Sequence, residues 1–264
     1  MFRLNISEPE GDPIIRRPRI LVWYVAVLLI GVLFQIICFR ADDTIDRDSV
    51  FYINGVKVWY ESGDFKAMAK VLISPRNTTA MKYYTAPFYL FVLKTLKCAF
   101  PAVSIETLAM LWGFFAGAVT IWVTMLSARL VFRDDIAALF AGLLLALHPH
   151  FAALAPCPLR DMTYLMLLSS VIYLLMLALV RRAPQFSGAA GFLCFAGLIC
   201  RIEFAALLLA LIPVAISDSA VIRKRSLPIW GVFCGCLMVG YVFWTLLIGI
   251  PWNFLFVYLK RFFT

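Results

Sequence analysis

The sequence predicts an all-α integral membrane protein with about seven transmembrane helices. Hydrophobic residues make up 63% of the 264 residues, and the mean hydropathy is +0.91. A soluble core of this size does not need so much apolar surface. Several apolar runs approach or exceed the roughly 20 residues that cross a bilayer. Short basic clusters separate these runs at every second turn, as expected when positive charges stay on the cytoplasmic side.

The first predicted span, residues 20–39, follows a polar tail, residues 1–19, that ends in Arg16, Arg17 and Arg19. The run is long enough to cross the membrane and lacks a small-residue cleavage site, so we interpret it as an anchor and not as a signal peptide. The arginines predict a cytoplasmic N-terminus. The membrane itself is expected to be a bacterial inner membrane.

Residues 40–104 form a long polar loop, which this topology places on the outer side. Residues 50–60 have the apolar spacing of a helix, and this helix is predicted to lie on the membrane surface. Residues 88–100, after Pro87, are too short to cross comfortably and predict a second interfacial helix. The loop aromatics are expected to form an interfacial belt: Tyr52, Trp59, Tyr83, Tyr84 and Tyr89.

Six further spans are predicted within residues 105–250, followed by a C-terminal tail, residues 251–264. They comprise residues 105–131, the run that ends at Leu147, residues 162–180, two short spans in residues 188–216 that turn at Arg201, and residues 227–250. This order places three segments outside: residues 40–87, residues 148–161 and the Arg201 turn.

Other ligand classes find little support in the sequence. The basic residues do not form one continuous face, which argues against nucleic acid as a partner. Six of the seven cysteines lie in or beside apolar runs, and the spacing shows neither a disulfide framework nor a zinc site. His148 and His150 are thin evidence for a divalent metal, and hydrogen bonding is the favoured role for them. No metal or cofactor is therefore predicted.

Short motifs in the three outer segments resemble, in their order, those of polytopic GT-C glycosyltransferases. The similarity is to the protein mannosyltransferase and aminoarabinose transferase type, which uses lipid-phosphate sugars. The motifs are Asp48 with Phe51-Tyr52, then Tyr84 to Tyr89 around Pro87, then His148-Pro149-His150 through Tyr164, and last Gly191 to Arg201. Thr85-Ala86-Pro87 departs from the usual His-Pro-Pro. Relatives generally continue beyond the point that corresponds to Thr264, so a short member, a subunit or a fragment is expected.

The resemblance implies transfer of a sugar from a polyprenyl-phosphate donor to a hydroxyl of an unidentified acceptor. This reaction needs a carboxylate that accepts the hydroxyl proton and cations that hold the departing phosphate. Asp48 is expected to be the base, with Asp43 in reserve. The alternative role for Asp48 is an N-cap on a helix that begins near Ser49.

Three cations are candidates for the phosphate: Arg201, Arg160 and Lys82. Arg201 is the strongest, because an ionisable residue within an apolar run is costly and by default functional. The alternatives are an Arg201 ion pair with Glu203 or Asp161 that only fixes packing, a helix-end anchor at Arg160, and an interfacial Lys82. Asp161 and Tyr52 complete the predicted substrate-binding set.

Two other classes of function compete with the enzyme. The leading alternative is a non-catalytic polytopic membrane protein that binds a lipid carrier or a partner subunit. A transporter is disfavoured because the ionisable residues gather on one side of the membrane and no inverted repeat is evident.

Overall fold

The structure is a computed structural model that describes residues 18–41, 47–65, 67–68, 86–201, 203–208 and 220–248. Regular structure within these ranges is helical, with no strand. Four helical segments are long and apolar enough to cross a membrane: Ile20–Phe39, Ile105–Phe132, Arg160–Arg181 and Leu227–Ile248. The predicted all-α class is therefore confirmed for the described residues, and the four apolar helices suggest a membrane protein, whereas the number of seven spans stays a prediction.

The helices have the following bounds: α1 Pro18–Ala41, α2 Arg47–Ser62, α3 Pro87–Ala99, α4 Ile105–Phe132, α5 Asp135–Ala146, α6 Pro149–Leu154, α7 Arg160–Arg181, α8 Pro184–Cys200 and α9 Ala220–Ile248. Side-chain caps fix the starts of α4, α5 and α6. The Ser104 hydroxyl accepts the N–H of Thr107 at the start of α4. The Asp134 carboxylate accepts two N–H groups at the start of α5. Such caps satisfy donors that a helix start leaves free.

Two predicted spans are short as helices. At 1.5 Å per residue, the 12 residues of α5 and the 17 residues of α8 extend about 18 and 25 Å, against about 30 Å of bilayer hydrocarbon. The helix α6 follows α5 after a break at His148, where Pro149 occupies its first turn. Residues 204–208 begin the second half of the predicted 188–216 pair, and residues 209–219 lie outside the described residues.

One end of the bundle joins α1, α4 and α5. The Tyr24 hydroxyl donates to Asp135 at 3.4 Å, and Arg129 Nε lies 3.0 Å from the same carboxylate. Because Tyr24 is near the start of α1 and Arg129 near the end of α4, these helices are antiparallel. We call this end of the bundle, defined by Tyr24, Arg129 and Asp135, the Tyr24 end.

At the opposite end of the bundle, the start of α4, the start of α7 and the end of α8 lie together. The Trp112 indole donates to the Thr163 hydroxyl at 2.8 Å, and Gly113 lies against the carbonyl oxygen of Ala155. The Cys200 thiol lies 3.8 Å from the carbonyl oxygen of Arg160. We call this end the Arg160 end.

The helices α8 and α9 run in the same direction. Gly188 faces Cys236, whereas further along both helices the Phe195 ring packs on Tyr241 at 5.3 Å. The numbers of the contacting residues therefore increase together along both helices, as they do in a parallel pair. Since α8 ends at the Arg160 end, α9 also points towards it.

The helices α2 and α3 cover each other. The rings of Tyr52 and Tyr89 meet edge-on at 5.5 Å, and Trp59 packs on Phe91 at 6.4 Å. Both predicted loop helices exist, but an interfacial belt is wrong for Tyr52, Trp59 and Tyr89, which are 5%, 3% and 0% exposed. An apolar helix face can be buried by another helix as well as by lipid, and here the two faces bury each other.

Candidate functional site

A cluster of charged side chains lies at the Arg160 end. Arg160 and Asp161 begin α7, whereas Arg201 and Glu203 follow the end of α8. The Cys200 contact to the Arg160 backbone holds the two helix ends together. Two arginines and two carboxylates from segments 40 residues apart thereby become neighbours.

Arg201 has ion-pair partners at Nη1 and at Nε and lies over an aromatic ring. Its Nη1 pairs with the Asp161 carboxylate, and its Nε lies 3.1 Å from Glu203 Oε1. The guanidinium carbon lies 5.5 Å from the centre of the Tyr164 ring. Both ion pairs that the sequence offered as alternatives are therefore present. A role for Arg201 in holding a phosphate stays a prediction.

The backbone after α8 determines where Arg201 lies. Arg201 is extended and donates its N–H to the Gly197 carbonyl at 2.8 Å, and its own carbonyl accepts the N–H of Phe204 at 3.0 Å. Gly197 has no side chain, and the Phe204 ring occupies the space that a Cβ would need. Phe204 also packs edge-on against Tyr164 at 5.7 Å. The turn that follows α8 packs against Gly197 and thus positions Arg201 over Tyr164.

Arg160 is more deeply placed than Arg201. Its exposure is 7%, whereas the side chains of Arg201 and Asp161 are 30% and 26% exposed. A side chain buried to this degree does not reach the lipid surface, so the alternative role of Arg160 as a helix-end anchor does not fit. A buried cation is costly and needs anionic or polar partners.

The Tyr89 hydroxyl is a polar group of this region that the sequence reasoning did not recognise. It has no hydrogen-bond partner among the residues that the structure describes. Burial raises its pKa well above the ordinary value, with Tyr52, Cys200 and Cys157 as electrostatic neighbours. The hydroxyl therefore stays protonated and can donate. A tyrosine two residues after Pro87, on the apolar face of a short helix, was the available signal.

Tyr52 lies next to Tyr89, and its side chain is buried in the hydrophobic core. Its ring meets Tyr89 and is almost fully covered. A sugar that stacks on Tyr52 would therefore have to displace Tyr89. The predicted contact between Tyr52 and substrate stays a prediction.

Asp48 belongs to the first turn of α2, because that helix begins at Arg47. A cap on a helix that begins near Ser49 therefore does not match the observed start. A carboxylate in a first turn is favourable for the helix dipole. The side chain of Asp48, and the whole of Asp43 and Lys82, lie outside the described residues. Ser49, the next residue, is fully buried.

The two histidines of the predicted outer turn lie beside each other, with ring centres 5.9 Å apart. The His148 Nδ1 accepts the N–H of Phe151 at 3.4 Å and caps α6. Hydrogen bonding, the role favoured from the sequence, is thus present at His148. Within the described part of the chain, no group of three or more His, Cys, Asp and Glu side chains is placed to hold a metal ion.

Comparison of the chain with protein-family models and with curated proteins gives no match.

Proposed function

We propose that the protein is a GT-C-type glycosyltransferase that moves a sugar from a polyprenyl-phosphate donor to an acceptor hydroxyl at the outer face of the membrane. One observation carries this proposal. Segments far apart in sequence meet at the Arg160 end, where Arg160, Asp161 and Arg201 lie together and Tyr52 contacts Tyr89 beside Cys200.

The arginines suit the departing group of this reaction. As the sugar transfers, the bond from the anomeric carbon to the phosphate oxygen breaks, and the phosphate keeps the electron pair. Guanidinium groups stay charged and bind phosphate oxygens through paired N–H donors. Such donors act most strongly where water is excluded, as around the buried Arg160. Lys82 is a third candidate cation.

The base in this mechanism is Asp48, with Asp43 in reserve. The acceptor oxygen attacks the anomeric carbon, and its proton passes to the carboxylate. Asp48 is four residues before Tyr52 on α2, one helical turn away. Tyr52 in turn packs on Tyr89, which has Cys200 of the Arg160 end as a neighbour, and this supports a position for Asp48 on the side of the arginines.

The distribution of charge supports an outer position for the Arg160 end. Arg129 and Arg133 lie at the Tyr24 end of α4, and α7 runs away from the Arg160 end to Arg181 and Arg182. Cytoplasmic loops are enriched in such residues, which supports a cytoplasmic N-terminus in a bacterial inner membrane. The parallel direction of α8 and α9 requires the connection between them to return, which supports a further crossing and a total of seven.

The proposal is tested by transfer of a labelled sugar from a polyprenyl-phosphate donor in membranes that contain the protein. Arg160→Gln should lower transfer by on the order of a hundredfold, because it removes a charged donor from a water-poor site. Arg182→Gln, at an exposed arginine on the far end of α7, is the matched control and should leave the rate unchanged. If the wild type transfers no more sugar than membranes without the protein, the non-catalytic alternative is favoured.

A further inference from the structure

Three side chains that contact the Arg201 guanidinium come from different parts of the chain. Glu203 is two residues away, and the guanidinium carbon lies over the Tyr164 ring. Asp161, in contrast, belongs to another helix, 40 residues earlier in the chain, and takes the Nη1 edge. Loss of the Asp161 contact would therefore leave Arg201 oriented by Glu203 and Tyr164.

A carboxylate and a phosphate offer a guanidinium the same kind of acceptor. Both present negatively charged oxygens to paired N–H groups, and one can replace the other. The Arg201–Asp161 pair is about a quarter to a third exposed, so an anion from outside can reach it. Asp161 also has a second arginine as its chain neighbour, Arg160, which offers a cation near the carboxylate once it leaves Arg201.

We propose that Asp161 is a built-in competitor for the donor phosphate on Arg201. In the free protein Asp161 occupies the Nη1 edge, and the phosphate group of a polyprenyl-phosphate donor replaces it on binding. This inference rests on the proposed function and deepens it, because it assigns opposite roles to two residues of one ion pair. Arg201 binds the donor, whereas Asp161 lowers its affinity.

The exchange also connects donor binding to helix packing. The Arg201–Asp161 pair ties the segment after α8 to the start of α7. When a phosphate replaces Asp161, this tie is released while the backbone contact of Cys200 remains. A ligand changes a conformation only through a difference in its interactions with the two states, and here the difference is the contact with Arg201.

The test is the affinity of the purified full chain in detergent for undecaprenyl monophosphate, with neutral undecaprenol as the reference ligand. Asp161→Asn should bind the phosphate about two- to fivefold more tightly, the order expected for release of a partly exposed pair. Asp161→Glu, which keeps the charge, should bind the phosphate less tightly than Asp161→Asn does. Glu106→Gln removes a carboxylate that pairs with Lys57 at the same end of the bundle, and it should cause no change.

A double-mutant cycle shows whether the effect passes through Arg201. Arg201→Gln should weaken phosphate binding, and Asp161→Asn should give no gain in that background. Should Asp161→Asn fold poorly, Asp161→Ser carries the same expectation. Phosphate binding by folded Asp161→Asn or Asp161→Ser that is equal to or weaker than that of the wild type would overturn this inference and leave the proposed function standing. If the wild type does not bind undecaprenyl monophosphate more tightly than undecaprenol, the proposal that the donor is a polyprenyl phosphate is overturned as well.

Discussion

The thiol of Cys200 lies 3.8 Å from the carbonyl oxygen of Arg160. This contact joins the last residue of α8 to the first residue of α7, and each is followed by a member of the Arg201–Asp161 ion pair. The charged cluster is therefore held by helix packing beneath it as well as by its own charges. Variants that disturb packing near this end should be separable from variants that remove charge.

Gly113 provides a test of close packing at the Arg160 end. A Cβ on Gly113 would overlap the carbonyl oxygen of Ala155, so that Gly113→Ala has to separate α4 from the segment after α6. We expect a loss of about 1–3 kcal/mol in stability, as for other overpacked sites. The measurement is thermal unfolding of the purified protein in detergent.

The matched control for Gly113→Ala is Gly235→Ala. Gly113 begins the motif Gly113-x-x-x-Gly117, and Gly235 ends the motif Gly231-x-x-x-Gly235. Nothing lies within 4 Å of an added Cβ on Gly235 in the described part of the chain. Alanine is also the better helix former, so this variant should be as stable as the wild type or slightly more so. Equal destabilisation of the two variants would contradict the packing described for α4.

Tyr89→Phe should change how stability depends on pH. Burial raises the folded-state pKa of Tyr89 above the value of about 10 for an unfolded chain. The folded protein therefore keeps this proton while the unfolded chain releases it, and stability falls as pH rises above about 10. The variant should lose less stability than the wild type between neutral pH and pH values above about 10.

The measurement is unfolding in detergent across this pH range, with Tyr60→Phe as the control at an exposed tyrosine. At neutral pH, Tyr89→Phe should be at least as stable as the wild type, because it removes a buried hydroxyl that lacks a partner among the described residues. Parallel pH profiles for the wild type and Tyr89→Phe would mean that this hydroxyl is not buried.

The proposed topology predicts the access of two exposed positions. In a background with the exposed Cys98 and Cys234 changed to serine, Ser62→Cys should react with a membrane-impermeant thiol reagent in sealed cells. Arg182→Cys should react only after the membrane is opened, because it lies beyond the far end of α7. If the cysteine at position 62 does not react in sealed cells, the proposed active site is not on the outer side of the membrane.

The long helices could be predicted from the sequence because length and hydropathy alone define them. The spans predicted at residues 105–131 and 162–180 lie within helices that end at Phe132 and Arg181. The surroundings of Tyr52 and Trp59 could not be predicted in the same way. An amphipathic helix shows which face is apolar, but lipid and a second helix satisfy that face equally well.

The sequence predicted most of the residues of the candidate site, but it predicted fewer of their contacts. The break in the apolar run and the predicted topology placed Arg201 at an outer turn. Asp161 and Glu203 were offered as its partners, and the fold uses both. The depth of Arg160 and the burial of the Tyr89 hydroxyl depend on packing between helices that are distant in sequence. No local pattern reports such packing, so these two features needed the structure.

Sugar transfer by variants of the loop carboxylates is the most direct test of the proposed mechanism. Asp48→Asn keeps the size of the side chain and cannot accept the proton, so transfer from a polyprenyl-phosphate donor should fall by roughly a hundredfold or more with expression intact. Asp43→Asn, measured in the same membranes, should stay close to the wild type. Loss of activity only in Asp43→Asn would move the base to Asp43, and full activity in both variants would contradict a catalytic centre in this loop.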